Sequence, residues 1–293
     1  MNSPNRLIRV RLRGGLGNQL SCFYAGLYLS KFNAGKLLLD GRFIKFGGNT
    51  NRNLELDQLD LATGFEVMEF LNPIPLPKSR IGKKIARPFL EKIFKIATRS
   101  EKDAVFSDGE SFVGRKIDFD VTLDGYFSSF EYFDACKVMG LVKAMKPVEP
   151  SDAYPKTLSE VKNRVGIHIR MGDYLQHPGT YPILTAEYYK NALLKTSAPD
   201  TGYHIFAENL DEARKHFPEL IKDATEIYSE KDFSTVESFC LMANSNQIIT
   251  ANSSYSTWAA QFVEMRGGRV ICPERMFTYE TKDLRPPNWI RVS

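Results

Sequence analysis

Short apolar runs alternate along the chain with longer segments of helical period. Residues 7–12 read LIRVRL, with apolar and charged positions alternating from Ile8 on, which predicts a half-buried strand. After a glycine-rich turn, Leu20, Phe23, Tyr24, Leu27 and Tyr28 recur at helical spacing and predict a helix from Gln19 to about Phe32. KLLLD then predicts a second strand, ending at Asp40. Further on, RVGIHIR, YHIFAEN, QIITA and RVICP predict strands, with EYYKNALLKT, DEARKHF and SYSTWAAQFVEM as the helices among them. Such alternation predicts an α/β fold with parallel sheets.

KPVEPSDAYP, residues 146–155, interrupts the pattern with proline and polar residues and has no period. It is the predicted boundary between an N-terminal domain, 1–150, and a C-terminal domain, 151–293. The last residues either stay with the second domain or pack back on the first. Each half then carries its own sheet. Ligands of such folds sit outside the carboxyl ends of the strands, so the expected site is a cleft between the halves.

Composition changes this picture little. A length of 293 residues suits two domains, and a net charge of +4 is too small to argue for nucleic acid by itself. Cys22, Cys136, Cys240 and Cys272 lie far apart with no CxxC pair, which indicates neither a zinc site nor a disulfide framework and fits reduced thiols in a cytosolic protein. The opening MNSPNRLIRVRL lacks the apolar core of a signal peptide, and no run approaches the roughly 18 apolar residues of a spanning helix. The expectation is a cytoplasmic protein, at most peripheral at the inner membrane. The candidate membrane contact is the basic segment 78–102, in which nine Lys or Arg face only Glu91 and Glu101. It reads as a lipid-surface helix or, the favoured reading, as an amphipathic helix packed on the protein with a solvated basic face.

Four stretches carry candidate chemistry. In GGLGNQ, residues 14–19, Gly14, Gly15 and Gly17 permit a tight turn and close approach of a ligand, and Asn18 is placed to cap the following helix, whose free N–H groups favour an anion. A plain strand-to-helix connection is the alternative. A dinucleotide fingerprint fits poorly, because Leu20 stands where a third small residue would let helix and strand pack closely. In HIRMGDY, residues 168–174, His168 and Arg170 share a strand face; Arg170 can fork onto phosphate oxygens and His168 can meet a base or ribose. Asp173 can hold Arg170 or cap the loop, and a structural Arg–Asp pair is equally open. In ITANSSYSTWAA, residues 249–260, Ser253, Ser254 and Ser256 offer hydroxyls beside the free N–H groups of a helix start, as a diphosphate site or as a simple cap. Finally, Asp118 and Asp120 of DFD would fall on one face of a strand as a possible metal pair, although two exposed strand acids are the commoner meaning.

Taken together these motifs resemble glycosyltransferase family 11 in its bacterial form, the α-1,2-fucosyltransferases. GGLGNQ is similar to the family's N-terminal glycine motif, LELDQL (54–59) to a short family signature, and LDGYFSSFEYF (123–133) to LDGYxQSxxYF. HIRMGDY resembles HxRRGDY, ANSSYSTWAAQF (251–262) resembles NSSFSWWxAW, and VICPERMF and the terminal WIRV resemble the closing segments. The order matches too. The departures are Met171 for the second Arg, Thr257 for the first Trp, Ser128 for Gln, and IFAEN for FSDD.

The resemblance implies a GT-B-like fold, two Rossmann-like domains facing across a cleft, the N-terminal one on the acceptor side and the C-terminal one binding the nucleotide sugar. It implies inverting, metal-independent transfer of L-fucose from GDP-L-fucose, with no cofactor, to a hydroxyl of a glycan or lipid-linked oligosaccharide. An α-1,2 linkage to galactose in bacterial surface polysaccharide (lipopolysaccharide O-antigen) assembly is the expected product. The alternatives are another deoxysugar donor or linkage, or a non-catalytic nucleotide- or carbohydrate-binding module. Arg170 and Asn18 are the expected catalytic residues, with Asn18 reaching across the cleft. Gly15, Gly17, His168, Asp173, Asn252, Ser253, Ser254, Tyr255 and Ser256 are the expected nucleotide-sugar contacts, and no residue is assigned to a metal. Asp124, Glu131 and Asp40 are candidates for the acceptor's base.

Overall fold

The computed structural model describes residues 6–42, 44, 52–61, 68–71, 104–107, 111–197, 202–279 and 283–293, with Ser79, Gly82, Ala86, Pro88, Phe89 and Lys92. In the basic segment 78–102, read as a helix from the sequence, Gly82, Ala86, Pro88, Phe89 and Lys92 are helical, and most of the other residues lie outside the described ones. The chain divides into two compact units, Met1–Asp57 with Thr63–Lys143, and Gln58–Ala62 with Ala144–Ser293. Among the described residues no helix is long and apolar enough to cross a membrane.

The first unit is built on five parallel strands: β1 (Leu7–Arg11), β2 (Lys36–Asp40), β4 (Met68–Leu71), β5 (Ala104–Ser107) and β6 (Val121–Asp124), in the spatial order β4-β2-β1-β6-β5. Helix α1, Leu16–Phe32, begins three residues earlier than its apolar pattern suggests. The cause is local. Gly15 is the N-cap, and its carbonyl already accepts from the N–H groups of Asn18 and Gln19, each at 3.0 Å. Asn18 is therefore inside the first turn, not the cap. From Leu16 to Ser30 every residue of α1 but Asn18 is buried, so this is a core helix, covered all round. The close helix–strand approach for which Leu20 is too large occurs instead at Gly26, where a Cβ would fall 2.2 Å from Val10 Cγ2 and 3.0 Å from Leu37 Cδ1. Helix α2, Phe130–Val138, is capped by the Ser129 hydroxyl, which accepts from Glu131 N. It meets α1 through an edge-on contact of Tyr24 with Phe133, centroids 4.9 Å apart.

The DFD acids do not lie on a strand. Residues 118–120 are irregular chain leading into β6, and Asp120 Oδ1 accepts from Leu7 N at 2.8 Å. That carboxylate satisfies the first N–H of β1.

In the second unit, β3 (Leu59–Asp60) pairs antiparallel with β7 (Lys146–Pro147). The main sheet holds β8 (Val165–Ile169), β9 (Tyr203–Ala207), β10 (Glu226–Ser229), β11 (Gln247–Ile249), β12 (Arg269–Pro273) and β13 (Ile290–Val292), all parallel, in the order β10-β9-β8-β11-β12-β13. β13 shows that the last residues stay with this unit. In chain order the sheet runs third, second, first, fourth, fifth, sixth, the doubly wound arrangement of nucleotide-binding folds. On one face Ile167, Ile169, Ile205 and Ile249 pack with Tyr188, Tyr189 and Ala192 of α4 (Ala186–Leu193). α3 (Tyr154–Val161) enters the unit. α5 (Leu210–His216) and α6 (Pro218–Lys222) link β9 to β10, α7 (Thr235–Ala243) follows β10, and α8 (Ser254–Met265) follows β11. α7 and α8 meet through Phe239 and Phe262.

Candidate active site

Open parallel sheets bind ligands where the strand order reverses, outside the carboxyl ends of the two strands that flank the reversal. In the second unit those strands are β8 and β11, and two of the sequence motifs fall there. HIRMGDY continues from β8, and ANSSYSTW continues from β11. The register pairs Ile249 with Ile167, so the next positions along, Thr250 and His168, are neighbours facing away from the α4 core. The His168 ring lies against Tyr255 of α8, centroids 5.5 Å apart.

Both neighbours are buried polar groups without a partner. His168 is 4% exposed and Thr250 0% exposed, and His168 Nδ1 and Thr250 Oγ1 have no hydrogen-bond partner among the described residues. Such groups are costly unless something completes them. Burial, with the nearby Arg170 charge second, pulls the His168 pKa down to about 3. The imidazole is therefore neutral at physiological pH and can accept a hydrogen bond from a ligand hydroxyl or amide, but it is not a proton donor in reserve.

Arg170 follows the end of β8. Its side chain is 14% exposed, its Nη1 is paired with Glu208 Oε2, and its Cζ lies 5.2 Å from the centroid of the Tyr174 ring. Glu208 is a residue that sequence reasoning missed; the partner expected was Asp173, which sits in the 3₁₀ turn Gly172–Gln176 and whose side chain lies outside the described residues. Met171, in place of an arginine, is 4% exposed and packs in the hydrophobic cluster with Ile169 and Tyr188. An apolar side chain suits that place, and a guanidinium there would be buried in hydrocarbon.

Across the strand pair, α8 opens with Ser253 as N-cap, and the Ser253 side chain makes no capping hydrogen bond. The serines and Asn252 divide into two groups. Ser256 is fully buried and its hydroxyl donates to the carbonyls of Ser253 and Ala251, while Asn252 Nδ2 donates to Pro182 O at 2.7 Å. Tyr255 Oη donates to Thr235 O, which ties α8 to α7. These three build the turn. Ser253 and Ser254 stand at the helix start itself, beside the N–H groups that hydrogen-bond to no preceding turn. Thr257, where the resemblance has Trp, repeats the Ser256 pattern by donating to Ser253 O at 2.9 Å.

The glycine motif occupies the same kind of place in the first unit, where order reverses between β1 and β6. Gly14 has φ +65°, and a Cβ there would come within 2.4 Å of Asn18 Nδ2, so only glycine lets the Asn18 amide lie over the turn. Gly15 is the N-cap, and Gly17 is buried in the first turn. Asp124, at the end of β6, takes Arg11 Nη1 at 2.7 Å and also Arg13. Asp40 takes Nε and Nη2 of Arg42. Glu131 lies on the surface and accepts from Ser111 Oγ at 3.2 Å. Phe127, three residues beyond β6, is held at φ +49°, a strained conformation for a bulky residue and a feature that clusters at functional sites.

A doubly wound sheet with an arginine and a helix start at its reversal point has the layout on which many folds hold nucleotides. The chain is similar along its whole length to two proteins of Escherichia coli: an α-1,2-colitosyltransferase, 26% identical, covering 98% of this chain and 99% of that one, and the O-antigen biosynthesis glycosyltransferase WbnK, 24% identical, covering 96% and 99%. Its fold is similar to a glycosyl transferase of family 9 from Veillonella parvula, with a TM-score of 0.52 at 11% identity over 100% of this chain and 87% of that one. The protein is a glycosyltransferase with a GT-B-like α/β fold. Residues 151–293 match glycosyl transferase family 11.

Proposed function

We propose that the protein transfers L-fucose from GDP-L-fucose to a glycan hydroxyl with inversion, forming an α-1,2 linkage in O-antigen assembly, without a metal. The observation that carries the reading is the reversal point of the second sheet: Arg170 and neutral His168 after one strand, a helix N-terminus after the other. As the sugar leaves, positive charge grows on the ring and negative charge on the β-phosphate. Arg170 and the N–H groups at Ser253 and Ser254 are donors suited to that charge. His168 and Thr250, both buried and unsatisfied, accept from and donate to the nucleoside. A second reading takes colitose as the sugar, because the α-1,2-colitosyltransferase shares 26% identity over almost the whole chain.

A donor screen tests both. Purified protein is given GDP-fucose or the nucleotide-linked colitose with candidate galactosides, and released nucleotide is measured with and without EDTA. Acceptor-dependent release from GDP-fucose, undiminished by EDTA, is the expected result. Release only from the colitose donor selects the second reading, loss of turnover in EDTA removes the metal-independent mechanism, and binding without release makes the protein a module, not an enzyme.

For Asn18 we propose a role in turnover at the glycine turn, because it alone in Leu16–Ser30 is not buried and a side-chain amide can donate to an anion. Asn18→Ala is expected to lower kcat more than it weakens GDP binding. Equal kcat in variant and wild type would remove the assignment.

A further inference from the structure

Glu208 has no role in the function proposed above, yet the geometry around it is specific. β8 and β9 pair in register up to Ile169 and Ala207, so Arg170 and Glu208 are the next residues of the two neighbouring strands. Their side chains meet through Nη1 and Oε2. A third residue makes room for that contact. Gly172 has φ +23°, and a Cβ there would lie 3.0 Å from Glu208 Oε2, so glycine is needed for both the turn and the carboxylate beneath it.

We propose that Glu208 is the positioning residue of Arg170: it fixes the rotation of the planar guanidinium so that its donors face the donor's diphosphate. The inference rests on the reading of Arg170 as the diphosphate anchor. A single flexible arginine would spread its donors over many orientations, and the entropy of ordering it would be lost at each turnover. A carboxylate on Nη1 orders it in advance. Stability has little to do with the pair, because the Glu208 side chain is 40% exposed and exposed ion pairs add little. The two expectations separate cleanly: removing Glu208 alters turnover and leaves the melting temperature where it was.

The test compares Glu208→Ala, Glu208→Gln, Arg170→Lys and the double variant Arg170→Lys/Glu208→Ala by kcat, donor KM and thermal melting. Glu208→Ala should lower kcat by about 100-fold, the scale of a misplaced catalytic group, with donor KM changed far less. Glu208→Gln should recover part of the loss, since the amide oxygen still accepts from Nη1. The double variant should be no worse than Arg170→Lys, because a positioning residue has nothing left to position. Wild-type kcat in Glu208→Ala beside an inactive Arg170→Lys overturns the inference and leaves the Arg170 reading intact. A rise in KM alone, or losses that multiply in the double variant, overturns it as well. Wild-type turnover in Arg170→Lys removes the reading itself and this inference with it.

Discussion

Arg170→Lys is expected to lose turnover by about 100-fold or more while the protein stays folded, on the scale of removing one preorganised donor from a developing anion. The reason is geometric. Arg170 follows β8 at the reversal point of the sheet, and its side chain is largely covered. A guanidinium there presents several donors in one plane, so it can hold Glu208 with Nη1 and still aim others at two phosphate oxygens. Lysine keeps the positive charge but carries it at a single point, and the ammonium must choose between the carboxylate and the phosphate. The loss should therefore fall on kcat, where the extra charge of the leaving diphosphate is felt, more than on ground-state GDP affinity. Nucleotide release in saturating donor measures the first, and calorimetric GDP titration the second. Turnover within a few-fold of wild type would take Arg170 out of the catalytic role.

The strands that flank the site were legible because each is a buried parallel strand and reads as a short apolar run: VGIHI and QII carry little else. The motifs that follow them were legible for the same reason, since polar residues cluster abruptly where an apolar run stops. What sequence could not supply was the partner of each polar group. Ser253, Ser254 and Ser256 look alike in a row, yet the helix turns the Ser256 hydroxyl back onto the Ser253 carbonyl and places the first two at the helix start. Glu208 lies 38 positions from Arg170 and meets it only because β8 and β9 are neighbours. Thr250 had a signal that was passed over, a polar residue closing an apolar strand. The start of α1 was misplaced because the apolar period begins only once the helix is under way; Gly15, Leu16 and Gly17 carry no period of their own.

Gln19 shows the same limit most sharply, and replacing it with leucine is expected to destabilise the first unit by about 3 kcal/mol or more. In the motif it reads as a polar residue near a phosphate turn. In the structure it is 0% exposed and both ends of its amide are engaged. Nε2 donates to Gly14 O at 3.0 Å and Asn53 O at 2.9 Å, and Oε1 accepts from Glu55 N at 3.0 Å and Leu56 N at 3.1 Å. One side chain thus pins the glycine turn to the segment 53–56. Leucine has nearly the same volume, so the packing term is small and the cost comes from four backbone groups losing their partner together. Gln19→Glu separates the two causes. A carboxylate keeps the shape but turns an oxygen toward the Gly14 and Asn53 carbonyls, and it fits only when protonated. Its folded state then binds more protons than its unfolded state, so its deficit should shrink as pH falls from the raised folded-state pKa to the ordinary carboxylate value, while that of Gln19→Leu should not. Hydrogen exchange at the amides of α1 reads the opening free energy of this unit directly. A Gln19→Leu protein within about 1 kcal/mol of wild type, a cost typical of any point substitution, would mean that the turn and segment 53–56 are held by something other than this amide.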